Sequence, residues 1–240
     1  MINFLRNLFC SSLGKKYIMS ITGFALVGFV VAHMVGNLQV FLGAEAINRY
    51  GHFLQSNIEL LWPARIFLLG TVLLHIWSAS RLTIENRAAR PVSYAEWNPT
   101  VASYASRTMM MTGLIVACFI IYHILHFTVM VQAVNLVHNH PDFAHDPYFV
   151  DAEGRHDIYR MMIVGFRQPL VSLFYIIAVG LLCLHLSHGI SAMFQSLGWK
   201  KRSYACLLDT AAKVVAWILF LGYISIPVSI LLLHYGGDVP

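Results

Sequence analysis

The stretch Leu181 to Gly198, "LLCLHLSHGISAMFQSLG", lies in a long run, Gln168 to Trp199, that contains no Asp, Glu, Lys or Arg, and it places two histidines, His185 and His188, three positions apart. An imidazole inside an apolar segment is costly to bury without a partner. What these two histidines bind therefore decides what kind of bundle the segment belongs to.

The composition is that of a membrane protein. Hydrophobic residues make up 58% of the 240 and charged residues only 11%, and the mean hydropathy is +0.66, too apolar for a soluble domain of this size. Runs without charge extend over Tyr17 to Ala44, Ile66 to Ser80, Thr108 to Pro141, Gln168 to Trp199 and Val214 to Gly237. Four exceed the roughly 20 residues that a helix needs to cross the hydrocarbon layer. The second reaches that length when Leu60 to Ala64 are added, with Arg65 snorkelling to a membrane surface. The expected fold is all-α, a single membrane-anchor domain over 1–240 with five transmembrane helices at 18–43, 60–81, 108–134, 168–197 and 213–235.

Basic residues set the orientation. Arg6, Lys15 and Lys16 precede the first span, Arg81, Arg87, Arg90 and Arg107 lie between the second and third, and Lys200, Lys201, Arg202 and Lys213 between the fourth and fifth. The amino terminus is thus expected in the cytoplasm and the carboxyl terminus outside. "MINFLRNLFCSSLGKKY" has no separate apolar region with a cleavage site, so the first helix is expected to be retained. Cys10, Cys118, Cys183 and Cys206 lack CxxC spacing, which points neither to a disulfide framework nor to an iron–sulfur ligand set. The net charge of +5 follows from the inside-positive loops and calls for no nucleic-acid partner. The polar connections are Ala88 to Pro99 and Asn135 to Arg167; the second holds His138, His140, His145 and His156 beside several acids, in spacings that match no standard metal site and read as a solvated outer loop.

Each of the first four spans carries histidine well inside: His33, His75, His123 with His126, and His185 with His188. Counting 1.5 Å per residue, His33 lies roughly 20 Å from the cytoplasmic start of its span at Ser20, and His123 about 22 Å from Thr108. His75 is about 9 Å from the cytoplasmic end of the second span at Arg81, and His185 about 24 Å below the outer start of the fourth near Pro169. Two pairs at two depths are what two bis-histidine haems b within a four-helix core require. Gly36, Ser78, Ala79 and Gly189 put small residues on the faces that carry the histidines.

On these residues the chain resembles a known family. "KKYIMSITGFALVGFVVAHMVGNLQVFLG", "WPARIFLLGTVLLHIWSASRL", "SRTMMMTGLIVACFIIYHILHFT" and "DIYRMMIVGFRQPLVSLFYIIAVGLLCLHLSHGISAMFQSLGW" are similar to the cytochrome b558 subunit of succinate dehydrogenase, the dihaem membrane anchor of succinate:menaquinone oxidoreductases and related fumarate reductases. The resemblance implies two haems b, menaquinone as substrate, a flavoprotein subunit that holds the succinate site, an iron–sulfur subunit docked on the cytoplasmic face, and residence among the lipids of the inner (cytoplasmic) membrane. It implies His33 and His123 as ligands of the outer haem iron and His75 and His185 as ligands of the inner one. His126 and His188, each one turn further along, are alternates or neighbours of the ligands.

Glu59, in "SNIELLWPARIF", is expected at the outer interface as a proton carrier for quinone, with Glu45 the poorer alternative. Some dihaem fumarate reductases carry a glutamate where this chain has Cys183, so their transmembrane proton path is not expected here. Two other readings accommodate intramembrane histidines: a haem b anchor of another respiratory complex, such as a hydrogenase or formate dehydrogenase, and a proton-coupled transporter. The transporter would call for intramembrane acids that these spans lack.

Overall fold

The computed structural model describes residues 2–89, 102–131, 134 and 150–239, with side chains from Arg6 onward. In chain order the helices are α1 (Ile2–Cys10), α2 (Ser12–Leu38), α3 (Ala44–Ser56), α4 (Ile58–Ala88), the single turn α5 (Tyr104–Arg107), α6 (Met109–Phe127), α7 (Ile158–Phe166), α8 (Pro169–Ser196) and α9 (Ala205–Leu232). Among the described residues there is no strand, only a bridge between Val150 and His156. Five helices are long and apolar enough to cross a membrane: α2 with a 3-10 extension to Leu42, α4, α6, α8, and α9 with a lead-in from Arg202. The chain is a multi-pass helical membrane protein.

The burial pattern is that of helices solvated by lipid. Along α4 the buried residues are Thr71, Ser78 and Leu82, whereas Ile66, Phe67 and Leu69 are more than 60% exposed. Hydrocarbon outside the bundle removes the gain from burying leucine, so small and hydroxylated residues take the interhelical positions. Their hydroxyls donate to carbonyls near them in the chain: Thr71 to Phe67 at 2.7 Å, Thr22 to Ile18 at 2.7 Å, Thr112 to Thr108 at 3.0 Å and Ser172 to Phe166 at 2.6 Å. No water is then needed at these positions.

Helix ends depart from the ends of the apolar runs. α2 starts before Lys15 and Lys16, and α4 continues past Arg81 to Ala88. The charges are absorbed locally: Lys15, 3% exposed, meets Glu85 at 2.7 Å and the Cys10 carbonyl at 3.0 Å, and Arg81 reaches Glu85 at 3.3 Å. α6 ends at Phe127 rather than near 134, with Met130 at φ 55°. The segment read as an outer loop also contains α7, whose residues Met161 to Phe166 are all buried. His138, His140, His145 and Arg90 lie outside the described residues.

Contacts divide the chain into two compact units. The first comprises Met1–Val30, Arg65–Leu114 and Cys183–Ala216, the second Val31–Ala64, Ile115–Leu182 and Trp217–Pro240. In the first, Lys200 bonds Asp209 at 2.6 Å and Ser191 at 2.8 Å, and Ser191 also bonds Asp209. In the second, α3 and α7 are tied by Asn48, which donates to Asp157 at 3.0 Å and accepts from the Tyr159 amide at 3.0 Å. Asp157 caps α7 through the Arg160 amide at 3.0 Å. Arg155 bonds Glu45 at 2.6 Å and Asp151 at 2.7 Å, and its guanidinium holds the Glu45 carboxyl below the usual range. Burial, with the bond to Tyr235, pushes the Tyr159 phenol up to about 12.

Two outcomes test this account. Ile163, fully buried among Met162, Phe166 and Val171, should cost about 2–5 kcal/mol of stability when replaced by alanine. Ile66→Ala on the lipid side should stay within about 0.5 kcal/mol, both measured by denaturation in detergent. The depressed Glu45 carboxyl contributes stability that is complete above the unfolded carboxylate value of about 4 and is lost as pH falls through the folded one. Amide exchange in α3 and α7, corrected for intrinsic rate, should accelerate below that pH.

Candidate functional site

The histidines meet in two pairs, each inside one unit. In the first unit His75 of α4 and His185 of α8 have ring centres 6.5 Å apart with planes at 69°. In the second, His33 of α2 and His123 of α6 are 5.7 Å apart with planes at 81°. These are the pairs that depth counting gave.

In the first unit the neighbouring helices determine which ring nitrogen is left for a ligand. His75 Nδ1 lies 3.2 Å from the Met19 carbonyl and 3.1 Å from the Thr22 hydroxyl. A carbonyl only accepts, and the Thr22 proton is directed to Ile18 or Met19. Nδ1 must therefore carry the hydrogen, which leaves the Nε2 lone pair available. The same arrangement recurs at His185, whose Nδ1 faces the Thr112 hydroxyl at 3.2 Å and the Met109 carbonyl, while Thr112 donates to Thr108 or Met109. Each ring also lies against a glycine. A Cβ at Gly23 would come within 3.4 Å of His75 Cε1, and one at Gly113 within 3.3 Å of His185 Cε1.

The second unit uses a phenol instead. The Tyr175 hydroxyl of α8 is 3.3 Å from His123 Nδ1 and 3.0 Å from His126 Nδ1. It has one proton, so it can donate to one imidazole while accepting from the other. His126 is fully buried, with its ring 4.0 Å from that of Phe127. On α2 the Asn37 side chain donates to the His33 carbonyl at 2.8 Å. A cavity of about 170 Å³ beside His33 is lined by Gly36, Asn37, Tyr50, Leu54 and Ile158.

The other expected site residues fall as follows. His188 is half-buried on α8 and interacts electrostatically with Lys200 and Asp209. Ser78 is fully buried and donates to the His75 carbonyl at 3.0 Å. Glu59 is exposed in the first turn of α4 and does not line the His33 cavity. Glu45 is engaged by Arg155. Cys183 is buried.

A pair of imidazoles is suited to gripping one metal from two sides. With nitrogen–metal bonds of about 2 Å, as for imidazole on other ions, opposed rings have centres roughly 6 Å apart, and 5.7 and 6.5 Å bracket that value. Among the described residues no three His, Cys, Asp or Glu side chains converge, so a cage built wholly from protein is not formed by them. His75 with His185, and His33 with His123, would suit a bis-histidine haem, which would supply one-electron transfer when bound.

Thr22, Gly23, Thr112, Gly113 and Tyr175 were not among the expected site residues. A signal for the first four is in the sequence: "MSITG" at Met19 to Gly23 and "MMMTG" at Met109 to Gly113, each followed ten residues after its glycine by a histidine, His33 and His123. Tyr175 has no such signature. No protein-family model matches the chain, and neither a curated protein nor a solved structure does.

Proposed function

We propose that the chain is the dihaem cytochrome b anchor of a succinate:quinone oxidoreductase, seated in the cytoplasmic membrane with its amino terminus inside. The observation that carries this reading is the meeting of four imidazoles from four membrane-crossing helices as two pairs at 5.7 and 6.5 Å. His33 and His123 would hold the outer haem b, and His75 and His185 the inner one. Haem, when bound, supplies one-electron transfer, which connects an iron–sulfur partner to menaquinone in the membrane. Succinate is oxidised on the flavoprotein partner, and the same assembly run in reverse reduces fumarate.

The chain itself contributes ligands, a dry surrounding and charge. Thr22, Thr112 and Tyr175 orient the imidazoles. Lys201 and Arg202, exposed at the start of the last span, are suited to carboxylates of the iron–sulfur partner. Glu59, exposed at the membrane edge of α4, can take up and release a proton for quinone. If quinone is reduced near the outer surface, moving each electron outward from the negative side gains ~2.3 kcal/mol per 100 mV. That gain would assist the transfer of succinate electrons to a low-potential acceptor.

The purified complex should contain two haems b per chain by pyridine haemochrome assay, and a ratio of one or zero would reject the reading. His75→Ala or His185→Ala should remove the inner haem and spare the outer one. Copurification of a hydrogenase or a formate dehydrogenase in place of the flavoprotein would reassign the complex. Glu59→Gln should retain both haems and slow quinone reduction by about a hundredfold, the low side of what a positioned acid–base group contributes, while dye-coupled succinate oxidation continues. Normal quinone reduction in that variant would remove Glu59 from the proton path.

A further inference from the structure

The two first-unit histidines are held in one way by two different helices. Met19, Thr22 and Gly23 of α2 face His75, and Met109, Thr112 and Gly113 of α6 face His185. In both cases a carbonyl and a hydroxyl face the ring, and a glycine lies against Cε1, where a Cβ would stand 3.4 or 3.3 Å away. The residues recur in the same order, M-x-x-T-G, on the membrane-crossing helix that comes before the one carrying the histidine. Thr71 offers an internal comparison, being equally buried in the same unit but with its hydroxyl bonded to Phe67.

We propose that Thr22 and Thr112 are positioning residues that fix His75 and His185 in the tautomer with hydrogen on Nδ1, the M-x-x-T-G sequence being a twice-used cradle for an iron-ligating imidazole. This rests on the reading of His75 and His185 as the inner-haem ligands. A hydroxyl and a carbonyl that accept from Nδ1–H make the opposite nitrogen a stronger donor. Stronger donation favours the oxidised iron and so lowers its potential. Each hydroxyl therefore contributes to a low potential at the inner haem and to the orientation of its two imidazoles. The Met19 and Met109 carbonyls remain when a hydroxyl is removed, so each single substitution has a partial effect and the double substitution a larger one.

The test is a redox titration of the purified complex, with the low-spin electron paramagnetic resonance signals of the haems recorded beside it. Thr22→Val and Thr112→Val should each raise the midpoint potential of the inner haem and shift its resonance, leaving the outer haem unchanged. The double variant should shift it further. Thr22→Ser and Thr112→Ser should retain the original values, and Thr71→Val should leave both haems as they were. Should a valine variant lose the inner haem altogether while its serine counterpart keeps it, the cradle is equally supported. Unchanged potentials in the double valine variant overturn the proposal, as do serine variants that behave like valine, which would assign the effect to packing. A shift confined to the outer haem overturns it as well, by moving the cradle to the other pair. A complex without haem b fails the functional reading itself and is distinguished from these outcomes before any variant is made.

Discussion

A hydrocarbon layer offers no water to a buried nitrogen, and an imidazole has two nitrogens to satisfy. In the first unit one nitrogen of each ring is given to a carbonyl and a threonine of a neighbouring helix. That choice has consequences for packing. The backbone carbonyl must come within hydrogen-bond reach of the ring, which requires close approach of α2 to α4 and of α6 to α8. Gly23 and Gly113 lie where the ring edge meets the helix, and a Cβ there would stand 3.4 and 3.3 Å from Cε1, at about contact distance. Satisfying one nitrogen thus sets the position of four helices and leaves the other nitrogen for chemistry.

The two units meet the same constraint with different materials. In the first, hydroxyls and carbonyls hold the histidines, and buried or half-buried charges such as Lys15 with Glu85 and Lys200 with Asp209 tie the ends of the helices. In the second, Tyr175 bridges two histidines, and the supporting structure is a pair of short helices, α3 and α7, laced by Asn48, Asp157 and Arg155. A phenol brings more apolar contact than a threonine, and Tyr175 accordingly packs against Phe119, Phe127 and Phe166.

What the sequence revealed follows from the range of the interactions. The five spans were legible because hydropathy accumulates over twenty residues and tolerates local exceptions. Their ends were not, since Lys15 is accommodated by Glu85, far away in the chain, and a charge that looks terminal is then internal to a helix. The two depths at which the histidines fall were legible from rise per residue, whereas His123 over His126 and His185 over His188 followed from the family resemblance and not from the count. Their supports were not legible, because Thr22 and Thr112 look like any hydroxyl on an apolar helix until the ring opposite is known. α7 was hidden for a related reason: "IYRMMIVGF" is too short to span and sits in a segment rich in acids and histidines, and it is buried by residues far away in the chain, Ile47 of α3 and Ile226 and Ile230 of α9 among them.

The repeat M-x-x-T-G followed by histidine also constrains the azimuth of a helix. Thr22 and His33 are eleven residues apart, as are Thr112 and His123, and eleven residues are about three full turns at 3.6 per turn. The cradle and the histidine therefore emerge from nearly the same meridian of their helix. Rolling α2 or α6 by the 100° of a single residue would carry both off that meridian together.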